Sequence, residues 1–171
     1  KQKGASDMGH DMNSDDGFDY DIAWRRVWLA AAPLLPTRGL ERLRTALAED
    51  DPRLLQEATT SPPPLACVQD WPCEGGCLIA YPVAFEDGDG ALTNYIDEDG
   101  SVRHLPASAK TVGEVEERFA KVCYEVDKAV GEPAAIRYLL NQYDSWPRAD
   151  MRRHLLPCVE AELERRKAVS L

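Results

Sequence analysis

The clearest pattern of apolar and polar positions in the chain lies between Thr111 and Gly131. Apolar side chains recur there every three or four residues, which places them on one face of an α-helix: Val115, Phe119, Val122, Cys123, Val126 and Val130. Thr111 and Glu114 have the spacing of a capping box, and Gly131 can take the left-handed conformation that ends a helix. The sequence therefore predicts a helix here, packed against the two helices that follow it.

The same periodicity predicts three helices nearer the N-terminus. The first covers 22–33, where four apolar side chains share a face: Trp24, Val27, Trp28 and Ala31. The second follows Pro36 and carries Leu40, Leu43 and Leu47. The third is short and covers 51–55, because an aspartate followed by a proline is a favourable helix start.

Two more helices are predicted after Gly131. One begins at Pro133, with a buried face of Ile136, Leu139, Leu140 and Tyr143. The last begins near Ser145 and repeats apolar residues every four positions at Met151, Leu155, Val159 and Leu163. Pro157 lies in its middle and lacks a backbone donor, so this helix is predicted to be kinked or split.

The middle of the chain has weaker periodicity. The run TTSPPP at 59–64 predicts an extended, semi-rigid connection, whereas 77–85 suits either a short helix or an edge strand. Leu92–Ile96 and 102–105 are short β-capable runs, and the polar turn 97–100 between them contains an Asp-Gly pair. They predict an antiparallel β-hairpin.

These elements predict a mainly α fold, with five to seven helices around one core and a small inserted antiparallel β-hairpin; an α+β fold is the alternative. The 171 residues suit a single domain over 22–171. Residues 1–21 are rich in Asp, Gly and Ser and predict a disordered acidic tail, whose first 13 residues resemble an expression leader. No apolar run approaches the roughly 20 residues that cross a bilayer.

The net charge of −10 is unevenly distributed. Residues 1–21 hold six acids and two lysines, and 86–100 hold six acids and no base; of the 30 acids and 20 bases in the chain, 18 of each remain elsewhere. Both acidic segments would repel phosphate, so direct nucleic-acid binding is disfavoured. Nucleic-acid binding is not excluded, because one basic cluster lies near the C-terminus: Arg148, Arg152, Arg153, Arg165, Arg166 and Lys167.

The acidic segment also allows a calcium site, because hard cations prefer several oxygen ligands. In EF-hand register from Asp87, however, Ala91 replaces a ligand and Leu92 replaces the required glycine. A site of another kind, formed by the two ends of the hairpin, is the remaining calcium interpretation, against a solvated acidic loop.

The five cysteines allow a zinc site and a reactive thiol as further alternatives. Cys67, Cys73 and Cys77 could bind zinc with a fourth ligand from His104, Cys123 or Cys158, but their spacing lacks paired C-x2-C motifs. His154 and Cys158 lie four apart, the spacing of a thiolate–imidazole pair, although Pro157 lies between them. Reduced cysteines that pack as small apolar residues are the simpler interpretation.

Charge and aromatic residues together favour a non-enzymatic interaction or regulatory protein, such as an adaptor, that binds a basic surface of another protein. The predicted binding residues are six acids and two tryptophans beside prolines: Glu86, Asp87, Asp89, Asp97, Glu98, Asp99, Trp71 and Trp146. The alternative is a metal-dependent protein or enzyme that uses calcium at the hairpin or zinc at the cysteines. No catalytic residue, cofactor or membrane association is predicted, and the expected location is the cytoplasm.

Overall fold

The computed structural model describes residues 19–88, 90 and 92–171, with the side chains at 93 and 95 outside that description. In chain order the elements are helix α1 (Tyr20–Ala31), a 3₁₀ turn (Ala32–Leu34), α2 (Thr37–Glu49), strand β1 (Thr60–Ser61), a 3₁₀ turn (Ala66–Val68), β2 (Gly75–Gly76), α3 (Ala80–Ala84), β3 (Leu92–Ile96), β4 (Val102–Pro106), α4 (Val112–Val130), a π-helix (Ala135–Leu140), α5 (Asn141–Ser145) and α6 (Arg148–Val169). The predicted fold class, mainly α with a small hairpin, is confirmed.

The first helix begins slightly earlier than predicted. The carboxylate of Asp19 accepts hydrogen bonds from the backbone N–H groups of Asp21 and Ile22, so α1 starts at Tyr20. Residues 20 and 21, assigned to the tail by the sequence, are therefore helical, while 1–18 lie outside the described residues. The predicted inner face of α1 is buried.

The predicted short helix at 51–55 is wrong. The Asp51 carboxylate accepts from the backbone N–H of Arg53, two residues on, and this local bond closes a turn. Leu55 then donates its N–H to the carbonyl of Gly76, which draws the chain toward strand β2. The Asp51 side chain binds a backbone N–H, as a helix cap would, but this bond closes a turn and no helix follows.

The Pro-rich connection is extended as predicted, and it also forms a small sheet. Strand β1 pairs antiparallel with the glycines of β2. The ambiguous stretch 77–85 contains α3, a short helix that is buried along its whole length. Its burial on every side explains why no polar face marked it as a helix in the sequence.

Helix α4 has the predicted termini. Thr111 and Glu114 form both hydrogen bonds of the capping box, and Gly131 has φ 87° at the C-terminal end. The helix packs against α1, α3 and the π-helix, whereas α6 packs against α2. The prediction that α4 packs against both following helices therefore holds only for the first of them.

The helix predicted after Pro133 is a π-helix that continues into α5. The Asp127 carboxylate accepts from the N–H groups of Ala134 and Ala135, which have no partner within the helix. Leu139, Leu140 and Tyr143 are buried as predicted, but Ile136 is 52% exposed. The wider π turn rotates residue positions away from the 3.6-residue face on which that prediction rested.

Helix α6 runs through Pro157 without a break, so the predicted split does not occur. Its four predicted core residues are all buried. They join a cluster of buried side chains that includes residues from all six labelled helices. Among the described residues, no helix combines the length and apolar character needed to cross a membrane.

Candidate functional site

The acidic segment leads into a hairpin that projects from the helical body. Strands β3 and β4 pair antiparallel from Leu92 opposite Pro106 to Ile96 opposite Val102. Each of the two strands makes most of its contacts with the other strand. At the base, a Cβ atom on Gly90 would lie 1.9 Å from the Ala107 carbonyl oxygen, so only glycine fits there. The close approach fixes where the hairpin leaves the body.

The acids at the hairpin base are bound within the molecule. Glu86 lies 2.6 Å from the Lys110 ammonium and 2.7 Å from the Arg118 guanidinium, and Asp87 lies 3.2 Å from Lys110. Burial opposes ionisation of Glu86, but the hydrogen bonds from Lys110 and Arg118 outweigh it and hold its pKa below the usual range. The base therefore offers little uncompensated charge to a partner.

At the hairpin tip, Glu98 and Asp99 face solvent, whereas Asp97 is half-buried. Asp97 lies 2.7 Å from Arg103, and the Asp99 carboxylate accepts from the side chain and backbone N–H of Ser101, which lowers its pKa. The Glu98 carboxylate makes no ion pair or hydrogen bond with a described residue. Asp89, also predicted as a binding residue, lies outside the described residues.

One face of the hairpin carries three exposed apolar side chains around a polar pair. Leu92, Ile96 and Val102 are 64%, 73% and 60% exposed, and their alternate positions in the paired strands place them on the same face. Between them, Asn94 and His104 pair across the strands through their side chains. The sequence predicted the hairpin but not this surface. Alternation of apolar and polar residues shows that a strand has an apolar face, but it does not show whether that face packs on the core or is exposed.

The two predicted tryptophans have different surroundings. Trp71 is 56% exposed. Its backbone carbonyl accepts a hydrogen bond from the N–H of Val112, the first residue of α4, which follows β4 along the chain. Trp146 is half-buried, with its ring 5.3 Å from that of Trp24 and 5.0 Å from that of His154. The fold thus brings Trp71 toward the hairpin base and places Trp146 at the edge of the helical core.

The cysteines show no metal site among the described residues, where no three His, Cys, Asp or Glu side chains are grouped to hold an ion. All five thiols are free. Burial raises the pKa of Cys73 to about 11 and those of Cys77 and Cys123 to about 12, whereas Cys67 is exposed. The zinc alternative for Cys67, Cys73 and Cys77 therefore finds no support in the arrangement of the described residues.

The His154–Cys158 pair is not a thiolate–imidazole pair. The Cys158 thiol donates to the His154 backbone carbonyl at 3.4 Å, and the imidazole ring stacks on Trp146. Burial raises the pKa of Cys158, which disfavours its thiolate. The four-residue spacing of His154 and Cys158 suits a thiolate–imidazole pair, but each side chain has another partner.

Part of the C-terminal basic cluster binds backbone carbonyls. Arg148 donates to the carbonyls of Leu54 and Asp51, and Arg152 donates to those of Leu47 and Ala48. Arg166 similarly donates to the carbonyls of residues 32 and 35. These three arginines bind α6 to α2 and to the segments on either side of it, which leaves fewer cations for phosphate than the sequence indicated.

Comparisons with family models, with curated proteins and with solved structures find no match for this chain.

Proposed function

We propose that this chain is a non-enzymatic interaction protein that binds a basic surface of another protein through its hairpin. The observation that carries this proposal is a set of three exposed apolar side chains, Leu92, Ile96 and Val102, on one face of the hairpin. Two of them, Ile96 and Val102, directly adjoin the carboxylates of the tip. Exposed apolar side chains grouped beside charge are typical of docking surfaces. The helical body would serve as the scaffold that presents the hairpin.

The two parts of the hairpin have different roles in binding. Carboxylates at the tip attract a basic surface over several ångströms and so raise the association rate more than the final affinity. Burial of the apolar face supplies affinity, because each large side chain contributes up to about 1.5–3 kcal/mol when fully removed from water. Trp71, exposed near the hairpin base, would extend the contact toward the body.

The same arrangement argues against two other functions. A tip rich in carboxylates repels the phosphates of nucleic acids. Nothing in the described residues supports the metal-dependent alternative, so no second function is proposed. Five free thiols suit a reducing compartment, and we place the protein in the cytoplasm as part of this proposal.

The test starts with capture of binding proteins from the source cell and purification of the partner. Association rates are then measured for the wild type, for a tip variant with Glu98→Gln and Asp99→Asn, and for a base variant with Glu86→Gln and Asp87→Asn. We expect the tip variant to associate about tenfold more slowly at low salt and the base variant to stay within about twofold of wild type.

Both variants remove the same number of charges, so the comparison separates position from net charge. Equal slowing in the two variants would mean that net charge alone drives association. An association rate unaffected by salt in the wild type would remove the electrostatic basis of the proposal.

A further inference from the structure

An apolar groove lies between α1 and α6. Its floor and walls include Trp28, Leu29, Pro157 and Ala161, and its volume is about 380 Å³. A depression of about 580 Å³, beside Ile22, shares Leu29 with the groove. Leu29 and Ile22 are 63% and 67% exposed, so the surface presents apolar groups that the core does not use.

The rim of this α1–α6 groove and the adjoining depression carries three arginines and two acids. Arg25 lines both the groove and the depression and forms no ion pair with any described residue. Arg26 lies 3.5 Å from Glu132, and Arg165 lies 2.8 Å from Glu162, so these two cations are partly compensated. Asp21 is the acid that lines the depression. Of the three arginines, Arg25 is therefore the one without an ion pair to a described carboxylate.

The hairpin of the same chain has the complementary character. It offers three exposed apolar side chains and ends in carboxylates, of which that of Glu98 has no partner among the described residues. The dimensions also agree: a five-residue strand spans about 17 Å and the twelve residues of α1 span about 18 Å. A hairpin laid along α1 would cover the groove over its length.

A symmetric contact between two copies of α1 fits less well. Around a two-fold axis at the middle of α1, Arg25 and Arg26 would face their own counterparts, which costs energy through like-charge repulsion. A head-to-tail contact instead places the acids of one copy against the arginines of the other. Charge complementarity therefore selects the heterologous arrangement.

We propose that the α1–α6 groove is the docking site for the acidic hairpin of a second copy of this chain. Leu92, Ile96 and Val102 of one copy pack against Leu29 and Ala161 of the other, and Glu98 pairs with Arg25. The proposal rests on the function proposed above, since it uses the same hairpin, and it names a basic surface that the hairpin binds. Because the contact is heterologous, it produces a ring or an open chain of copies.

Sedimentation of the purified full chain tests this proposal. It is run from about 10 to 500 µM protein and at about 150 mM salt, where a Debye length of about 8 Å screens the overall repulsion between copies. We expect the average mass to rise with concentration above the 19.0 kDa of one chain. Arg25→Glu should weaken association at least about tenfold, because it places like charges together. Arg38→Glu, on the exposed surface of α2, is the matched control and should leave association unchanged.

Exchange of charges between the two surfaces gives the decisive comparison. A hairpin variant with Glu98→Lys and Asp99→Lys should fail to associate alone, as should Arg25→Glu. A mixture of the two should associate again, because the lysine tip of one then meets the glutamate of the other. Circular dichroism of each variant confirms that the helices are retained.

The outcomes separate this inference from the proposed function. A constant mass of 19.0 kDa at every concentration would overturn self-association, and so would a mixture that stays monomeric. Without self-association, the hairpin variant is then tested for binding to the captured partner protein. If that binding is lost, the proposed function stands and only the docking of a second copy fails. If neither contact depends on the hairpin, both fail. The proposal would also be overturned if amide hydrogen exchange showed the groove protected by a different protein and never by a second copy of this chain.

Discussion

The β-hairpin and the helical body use apolar and charged residues in opposite ways. In the body, Leu155 is fully buried and Arg148 binds backbone carbonyls; in the hairpin, Ile96 is 73% exposed and the Glu98 carboxylate has no partner among the described residues. The contrast continues within the acidic segment, where Glu86 is paired with two cations. Net charge in the sequence therefore does not locate a binding surface, because only unpaired and exposed charge is available to a partner.

The largest expected difference concerns apolar truncation. Leu155→Ala leaves a cavity in the core and should lower the free energy of unfolding by about 2–5 kcal/mol. Ile96→Ala removes an exposed side chain and should change it by less than about 0.5 kcal/mol. Denaturant unfolding of both variants measures this. A loss of similar size at Ile96 would mean that the hairpin face packs on the body and is not free to bind.

The bonds between Arg148 and the loop that follows α2 should give the next largest effect. Arg148→Ala removes hydrogen bonds to two carbonyls and an ion pair to Asp50, and should cost about 2 kcal/mol of unfolding free energy. Arg153→Ala is the control on the same helix, because that side chain is 70% exposed and pairs only with Asp150 among the described residues. Equal losses for the two variants would show that the bonds of Arg148 to this loop add no stability.

The two ends of the acidic segment should differ in their pH dependence. Because the pKa of Glu86 is lowered in the folded state, its contribution is present above its ordinary value of 4.5 and is lost as pH falls through the lowered pKa. Glu86→Gln should cost about 1 kcal/mol at neutral pH, a difference that disappears in acid. Thermal unfolding across that range measures it, with Glu98→Gln as the control. A pH-independent loss at Glu86 would contradict the ion-pair explanation.

The smallest expected effect has the opposite sign. Burial raises the pKa of Glu116, which accepts a hydrogen bond from Thr60 at 3.4 Å. The folded state therefore loses stability as pH rises from 4.5 through the raised pKa, and Glu116→Gln should gain about 0.5 kcal/mol at neutral pH. Glu117→Gln on the exposed side of α4 is the control, and calorimetry at two pH values distinguishes them. A destabilised Glu116→Gln would show that the carboxylate has a favourable partner.

The sequence predicted those elements whose signals are local. The capping box at Thr111, the turn at Gly100 and the buried positions of α6 follow from neighbouring residues, and all three are confirmed. The features that the sequence did not reveal depend on distant contacts. The turn at Asp51 leads to a bond with Gly76, and the neutralisation of Glu86 requires Lys110 and Arg118. The α1–α6 groove likewise joins residues more than a hundred positions apart, which periodicity does not reveal.

The central claim is that the hairpin is the binding surface and the helical body is its scaffold. Amide hydrogen exchange of the chain, alone and with its captured partner, tests this most directly. We expect new protection in strands 92–96 and 102–106 and in the tip between them, with the amides of α2 and α4 unchanged. Protection confined to the body, with hairpin exchange the same in both states, would contradict the account.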